Sequence, residues 1–134
     1  MSVEFDLARQ WLIKAQNDLL NADNNLRSDQ IPFDTVCFHC QQAAEKLLKA
    51  YLVGRGCAYP FTHDLLFLLQ HILPIQADAE ALRDSLALLM PYAVEIRYPD
   101  DAFAPTEHDA QEAREAAEQV QSWLRSALPE IFYL

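Results

Sequence analysis

Phe5, Ala8, Leu12, Ala15, Leu19, Ala22 and Leu26 recur at spacings of three and four, one apolar stripe along a helix of about six turns. Large and small residues alternate along it, the pattern of a face into which a neighbouring helix interlocks. Ser2 or Asp6 is placed to cap its start, and the segment Ser28 to Pro32 ends it. A second helix is expected from Phe33 to Val53, stopping at Gly54-Arg55-Gly56, because glycine accepts the left-handed backbone that closes a helix. A short third helix follows Thr62, read as its N-cap, through Asp64 to His71, and Pro74 bars its continuation. A fourth begins near Asp78 and turns Leu82, Leu86 and Leu89 inward, with Pro91 forcing a kink or a break. Tyr98-Pro99 ends this part of the chain, since the residue before proline avoids helical geometry. The last helix starts at Thr106, where Asp109 three residues on completes a capping box, and its stripe is Ala110, Ala113, Ala117, Val120, Leu124 and Ala127.

Only two glycines occur, no Asn-Gly or Asp-Gly hairpin signal is present, and no run alternates strand-fashion for long. The expected fold is therefore all-α: an antiparallel up-and-down bundle of about five helices, three long and two short. The 134 residues suffice for one domain with its own core, so residues 1–134 are read as a single helical unit. Residues 129–134 form an apolar tail in which Phe132-Tyr133-Leu134 is costly to leave exposed, so it is expected to dock on the bundle or across a dimer.

Composition narrows the setting. The N-terminus MSVEFDLARQ has no basic run followed by an apolar core, and no stretch approaches the roughly 18 apolar residues of a spanning helix, so a cytoplasmic protein without membrane contact is expected. The three cysteines are an odd number, with two of them three apart on one helix, which argues for reduced thiols over a disulfide framework. A formal charge of -10 disfavours broad, sequence-independent nucleic-acid binding. Residues 32–56 run against that balance, with Asp34 and Glu45 opposed by Lys46, Lys49 and Arg55.

That relatively basic segment contains TVCFHCQQAAEKLLK, whose Cys37, His39 and Cys40 raise the question of a metal site. At about 100° per residue, Val36, Cys40, Ala43, Leu47, Ala50 and Tyr51 fall on one side of the helix, while His39, Gln42, Lys46 and Lys49 fall together beside it. The cysteines therefore lie with the core, and His39 points elsewhere. A zinc site needs about four converging ligands, and Cys57 stands alone, so no metal is expected. The polar stripe has a plain reading as a solvated face with a Glu45–Lys49 pair at four-residue spacing. Its functional reading is a ligand face, with Lys46 and Lys49 meeting phosphates as point charges.

Phe38-His39-Cys40-Gln41-Gln42-Ala43-Ala44-Glu45-Lys46-Leu47-Leu48-Lys49-Ala50 resembles the second-helix signature of the HEPN family, small helical domains associated with nucleotides. Trp11-Leu12-Ile13-Lys14-Ala15-Gln16-Asn17-Asp18-Leu19 resembles that family's first helix, Thr62-His63-Asp64-Leu65 its Thr-His-Asp-Leu turn, and Arg97-Tyr98-Pro99-Asp100 its Arg-Tyr-Pro motif. The likeness spans about residues 7 to 125. It implies an up-and-down helical bundle, commonly a homodimer, often paired with a minimal nucleotidyltransferase in a toxin-antitoxin-like or defence-like pair. Many members are metal-independent endoribonucleases that use an Arg and a His four to six residues apart. This chain departs from that spacing: ten residues separate Arg97 from His108, and seven separate Arg55 from His63.

Three functions follow as expectations. The first is a module that binds a nucleotide such as ATP or GTP, or a nucleotidyltransferase partner, through His39, Gln42, Lys46, Lys49, Arg97 and His63, with no required cofactor. The second is a metal-independent RNase in which Arg97 and His63 are the candidate catalytic groups, histidine being the side chain that titrates near neutrality. The third is a structural dimerisation module. Each candidate also has a structural reading: Arg97 ends a helix, where a cation meets free carbonyls, His63 follows a cap and locks a turn, and His108 lies on the surface.

Overall fold

A computed structural model describes residues 2–94 and 104–133. The first apolar stripe becomes α1, Val3–Leu26, which buries Ala8, Leu12, Ala15, Leu19 and Ala22 and starts at Ser2, whose hydroxyl accepts from the Phe5 amide at 3.0 Å. The second becomes α2, Phe33–Gly54, the central element, packed against both α1 and the last helix. Its end is a Schellman closure: the Cys57 amide donates to the Leu52 carbonyl and the Gly56 amide to that of Val53. Gly56, at φ 73°, takes the left-handed conformation. Gly54 serves a different purpose, because a β-carbon there would lie 2.4 Å from Leu128 Cδ2.

Two expectations are corrected in the middle of the chain. α3, Leu65–Ile72, is capped by Asp64 and not by Thr62: the Asp64 carboxylate accepts from the Phe67 amide at 3.1 Å. Thr62 stands one step back, its hydroxyl accepting from the Asp64 amide at 3.0 Å. The fourth helix is not continuous from Asp78. A 3-10 segment, Ala77–Leu82, leads into α4, Arg83–Leu89, and a second, Met90–Tyr92, carries Pro91. Proline cannot supply the amide that an α-helix needs at that point, and a 3-10 turn absorbs it.

α5, Glu107–Ala127, opens with the expected capping box, Thr106 and Asp109 exchanging hydrogen bonds at 3.2 and 2.9 Å. Beyond it, the 3-10 turn Pro129–Phe132 folds the tail back onto α1. Leu128 and Ile131 are fully buried, and Arg9 donates to the Ile131 carbonyl at 2.6 Å. Phe132 lies beside the Arg125 guanidinium, while Tyr133 is exposed. The protein is all-α, and no strand occurs among the described residues. One continuous core of Leu, Ala, Ile, Val, Cys and Tyr side chains runs through the bundle.

Candidate ligand site between the first two helices

Trp11, Lys14 and Asp18 follow one another at three- and four-residue steps, so they share a face of α1 beside its apolar stripe. Packing of α1 on α2 brings that face to His39, Gln42, Lys46 and Lys49. The result is two ionic clusters. In the first, Asp18 divides its carboxylate: Oδ1 lies 2.9 Å from His39 Nδ1, and Oδ2 lies 2.5 Å from Lys46 Nζ. Asp18 is buried, 9% exposed. A carboxylate only accepts, so Nδ1 of His39 carries the hydrogen, and Nε2 is the ring nitrogen not engaged by Asp18.

The second cluster is deeper. Glu45, 4% exposed, accepts from Lys49 Nζ at 2.9 Å through Oε2 and faces His63 Nδ1 at 2.8 Å through Oε1. Lys49 is itself buried, and its ammonium stands 5.5 Å from the centre of the Trp11 ring and 5.4 Å from that of Tyr59. The two rings meet edge to face. Two aromatic faces and a carboxylate therefore replace the water that the ammonium gives up. His63 is exposed, but its loop is held twice, by Glu45 on the ring and by Gln41 Nε2, which donates to the His63 carbonyl at 3.2 Å. Gln42 in turn donates to Gln41 at 2.7 Å.

The stripe read from α2 spacing is thus not one solvated face. His39 and Lys46 are half-buried and tied to Asp18, Lys49 is interior, and Gln42 bonds along its own helix. The plain reading of an exposed Glu45–Lys49 pair is corrected: the pair exists, but burial makes it a structural necessity in place of a surface ornament. Arg97 lies outside the described residues. His108 is exposed and 3.2 Å from Glu112 on α5. Asp18, Trp11 and Tyr59 were missed as site residues. The available signal was a carboxylate and an indole on α1 bordering its apolar stripe.

Outward of these clusters, a shallow groove of about 440 Å³ is lined by Leu7, Gln10, Trp11, Lys14 and Lys46. Trp11 is shared, forming one wall of the Lys49 box and part of the groove. Lys14 is exposed and has no ion-pair partner among the described residues, so this rim offers one free ammonium and one bound to Asp18.

The cysteines belong to the core. Cys37 and Cys40 are fully buried and form no disulfide, and burial pushes the Cys40 thiol up to about 12. No group of three or more His, Cys, Asp or Glu side chains among the described residues is arranged to hold a metal. No described helix is long and apolar enough to cross a membrane.

Comparison with known proteins agrees with this architecture. The crystal structure of TT1696 from Thermus thermophilus superimposes with a TM-score of 0.78 at 32% sequence identity, covering 90% of this chain and 98% of that one. No curated protein matches the chain. The family model described as the HEPN domain matches residues 8–127, a span that includes both helices of the site, and on that match the chain belongs to the HEPN domain family.

Proposed function

We propose that this HEPN domain is a binding module for a nucleotide, taken in the groove between α1 and α2, and that it works beside a nucleotidyltransferase-type partner. The observation that carries this reading is the groove lined by Trp11, Lys14 and Lys46. An indole face stacks on any nucleobase, and ammonium groups meet phosphate oxygens as point charges. The paired clusters beneath supply rigidity, because Asp18 fixes His39 and Lys46 before a ligand arrives. Lys49 supports Trp11 from behind and does not itself reach the ligand. Among the stripe residues, Lys46 lines the groove and stays as a ligand contact; His39 and His63, which do not line it, are proposed as neighbours reached by a larger ligand or by the partner.

Calorimetric titration with ATP and then GTP, with and without magnesium, tests this. Lys14→Ala is expected to weaken saturable binding about tenfold while leaving the melting temperature unchanged, because its ammonium is exposed and uncommitted. Absence of binding to either nucleotide removes the reading. A second reading, RNA cleavage, draws on the Asp18–His39 pair, which leaves Nε2 available as a general base. Cleavage that persists in a chelator and disappears in His39→Ala would favour it.

A further inference from the structure

A second groove lies on another side of the bundle, where α4 and the 3-10 segment before it meet α5. One cavity of about 660 Å³ is lined by residues that include Leu82, Glu115, Glu118 and Trp123. A second, of about 240 Å³, adjoins it through Glu115 and Gln119 and adds Asp84, Leu88 and Glu112. Together they form one trough along the α4–α5 seam, crossed where the Ser85 hydroxyl donates to Gln119. Its α5 wall runs from Glu112 to Trp123, roughly 16 Å at about 1.5 Å per residue, the length of a three-turn helix.

The chemistry of this trough changes along its length, mainly apolar toward Trp123 and more polar toward Asp84. Leu82, Leu88 and the half-buried Trp123 supply apolar surface, and Trp123 is fixed by an indole N–H donated to Asp78 at 3.1 Å. Carboxylates stand along both walls. Glu118 is engaged by Arg114 and Glu112 by the exposed His108, but among the described residues neither Asp84 nor Glu115 has an ion-pair partner. Segments 77–89 and 107–127 together hold eight carboxylates against three arginines, so the whole wall attracts cations.

We propose that this trough is a docking site for a basic amphipathic helix of a partner protein. Leu82 and Trp123 at one end and Leu88 at the other select apolar side chains at three- and four-residue spacing, the helix-in-groove mode of recognition. The acidic rim selects lysine or arginine on the flanks and speeds encounter. Charge complementarity favours a basic occupant: a second copy of this chain carries -10 overall, and nucleic acid carries the same sign as the rim.

The test is selection from a phage-displayed library of random 12-residue peptides on the intact protein, followed by fluorescence anisotropy of the enriched peptide. The expected sequences place Leu, Phe or Trp at three- and four-residue spacing between Lys or Arg. Binding should fall at least about tenfold in Asp84→Lys/Glu115→Lys and less than about twofold in the charge-matched control Glu4→Lys/Asp29→Lys, whose positions are exposed and outside the trough. All four positions are exposed, so folding should survive, and circular dichroism checks it. Equal losses in the two variants would reduce the effect to net charge and overturn the proposal. Acidic or uncharged winners, no enrichment, or undiminished binding of a peptide whose apolar residues are changed to Ser would overturn it too. A change of oligomeric state in the trough variant alone would assign the surface to a second copy instead.

Discussion

Between α1 and α2, Asp18 and Glu45 are 9% and 4% exposed, and each divides its two oxygens between an imidazole and an ammonium. Between α4 and α5, Asp84 and Glu115 are exposed and without ion-pair partners among the described residues. The difference lies in solvent. An ion taken out of water costs several kcal/mol unless partners replace its hydration, so the α1–α2 seam tolerates no unmatched charge. On the trough rim water does that work, and a bare carboxylate costs little and stays available to a partner. The titration behaviour follows the same division. Cys40 on α2 is shifted first of all by burial, whereas the exposed Glu80 is held below the usual carboxylate range first of all by its hydrogen bonds from Arg83.

Substitutions can break this contrast. The largest effect is expected from Lys49→Ala, which leaves Glu45 buried with only the exposed His63 and should cost about 3–5 kcal/mol in urea unfolding. Glu115→Ala should stay within about 0.5 kcal/mol, and similar costs for the two would sink the comparison. Replacing both partners, Glu45→Leu with Lys49→Met, should recover most of the loss, since no charge is then stranded.

Next in size is Gly54→Ala. Its new methyl would meet Leu128 at 2.4 Å and Ala8 at 3.3 Å, an overpacking cost of about 1–3 kcal/mol, visible as a lowered melting temperature.

The pH dependence of stability sharpens the same point. The Cys40 thiol is raised from 9.0 to about 12 by burial. Below pH 9 both folded and unfolded chains keep the proton, and the contribution is complete. Between 9 and 12 only the unfolded chain loses it, so stability should fall by at most about 1.4 kcal/mol per pH unit. Urea unfolding at pH 8, 9, 10 and 11 should show this slope, and Cys40→Ala should flatten it whatever its own cost. Equal slopes in the two proteins would show that Cys40 is not desolvated.

The smallest effect belongs to the α5 start. Thr106→Ala removes one half of the capping box and should cost about 1 kcal/mol. It is a local loss, so amide exchange should rise in the first turn of α5 while the α1–α2 seam stays protected.

The three long helices and their ends were legible in the chain, whereas the fourth, read as starting near Asp78, is divided between 3-10 turns and the short α4. Stripes such as Ala8, Leu12, Ala15 and Leu19, or Ala110, Ala113, Ala117 and Val120, mark buried faces because helical periodicity is a property of neighbouring residues. The Thr106–Asp109 box and the glycine closure at Gly56 are likewise local. The same geometry put Cys37 and Cys40 in the core. Where local signals competed, the reading slipped by a step: Thr62 and Asp64 are both good caps, and only the loop path gave the role to Asp64.

What only the tertiary structure decided is who meets whom across helices. Asp18 is 21 residues from His39 and 28 from Lys46, and Glu45 is 18 from His63. The partners depend on the register in which α1 and the α2–α3 loop pack on α2, which no spacing within one helix records. The same packing turned Lys49 from a surface cation into a buried one between Trp11 and Tyr59, made Gly54 a point of close approach for Leu128, and opened the acidic trough between α4 and α5. Sequence set each helix and its apolar face, because those depend on short-range geometry; burial of charge, and the surfaces left free for ligands, arise only when the faces are fitted together.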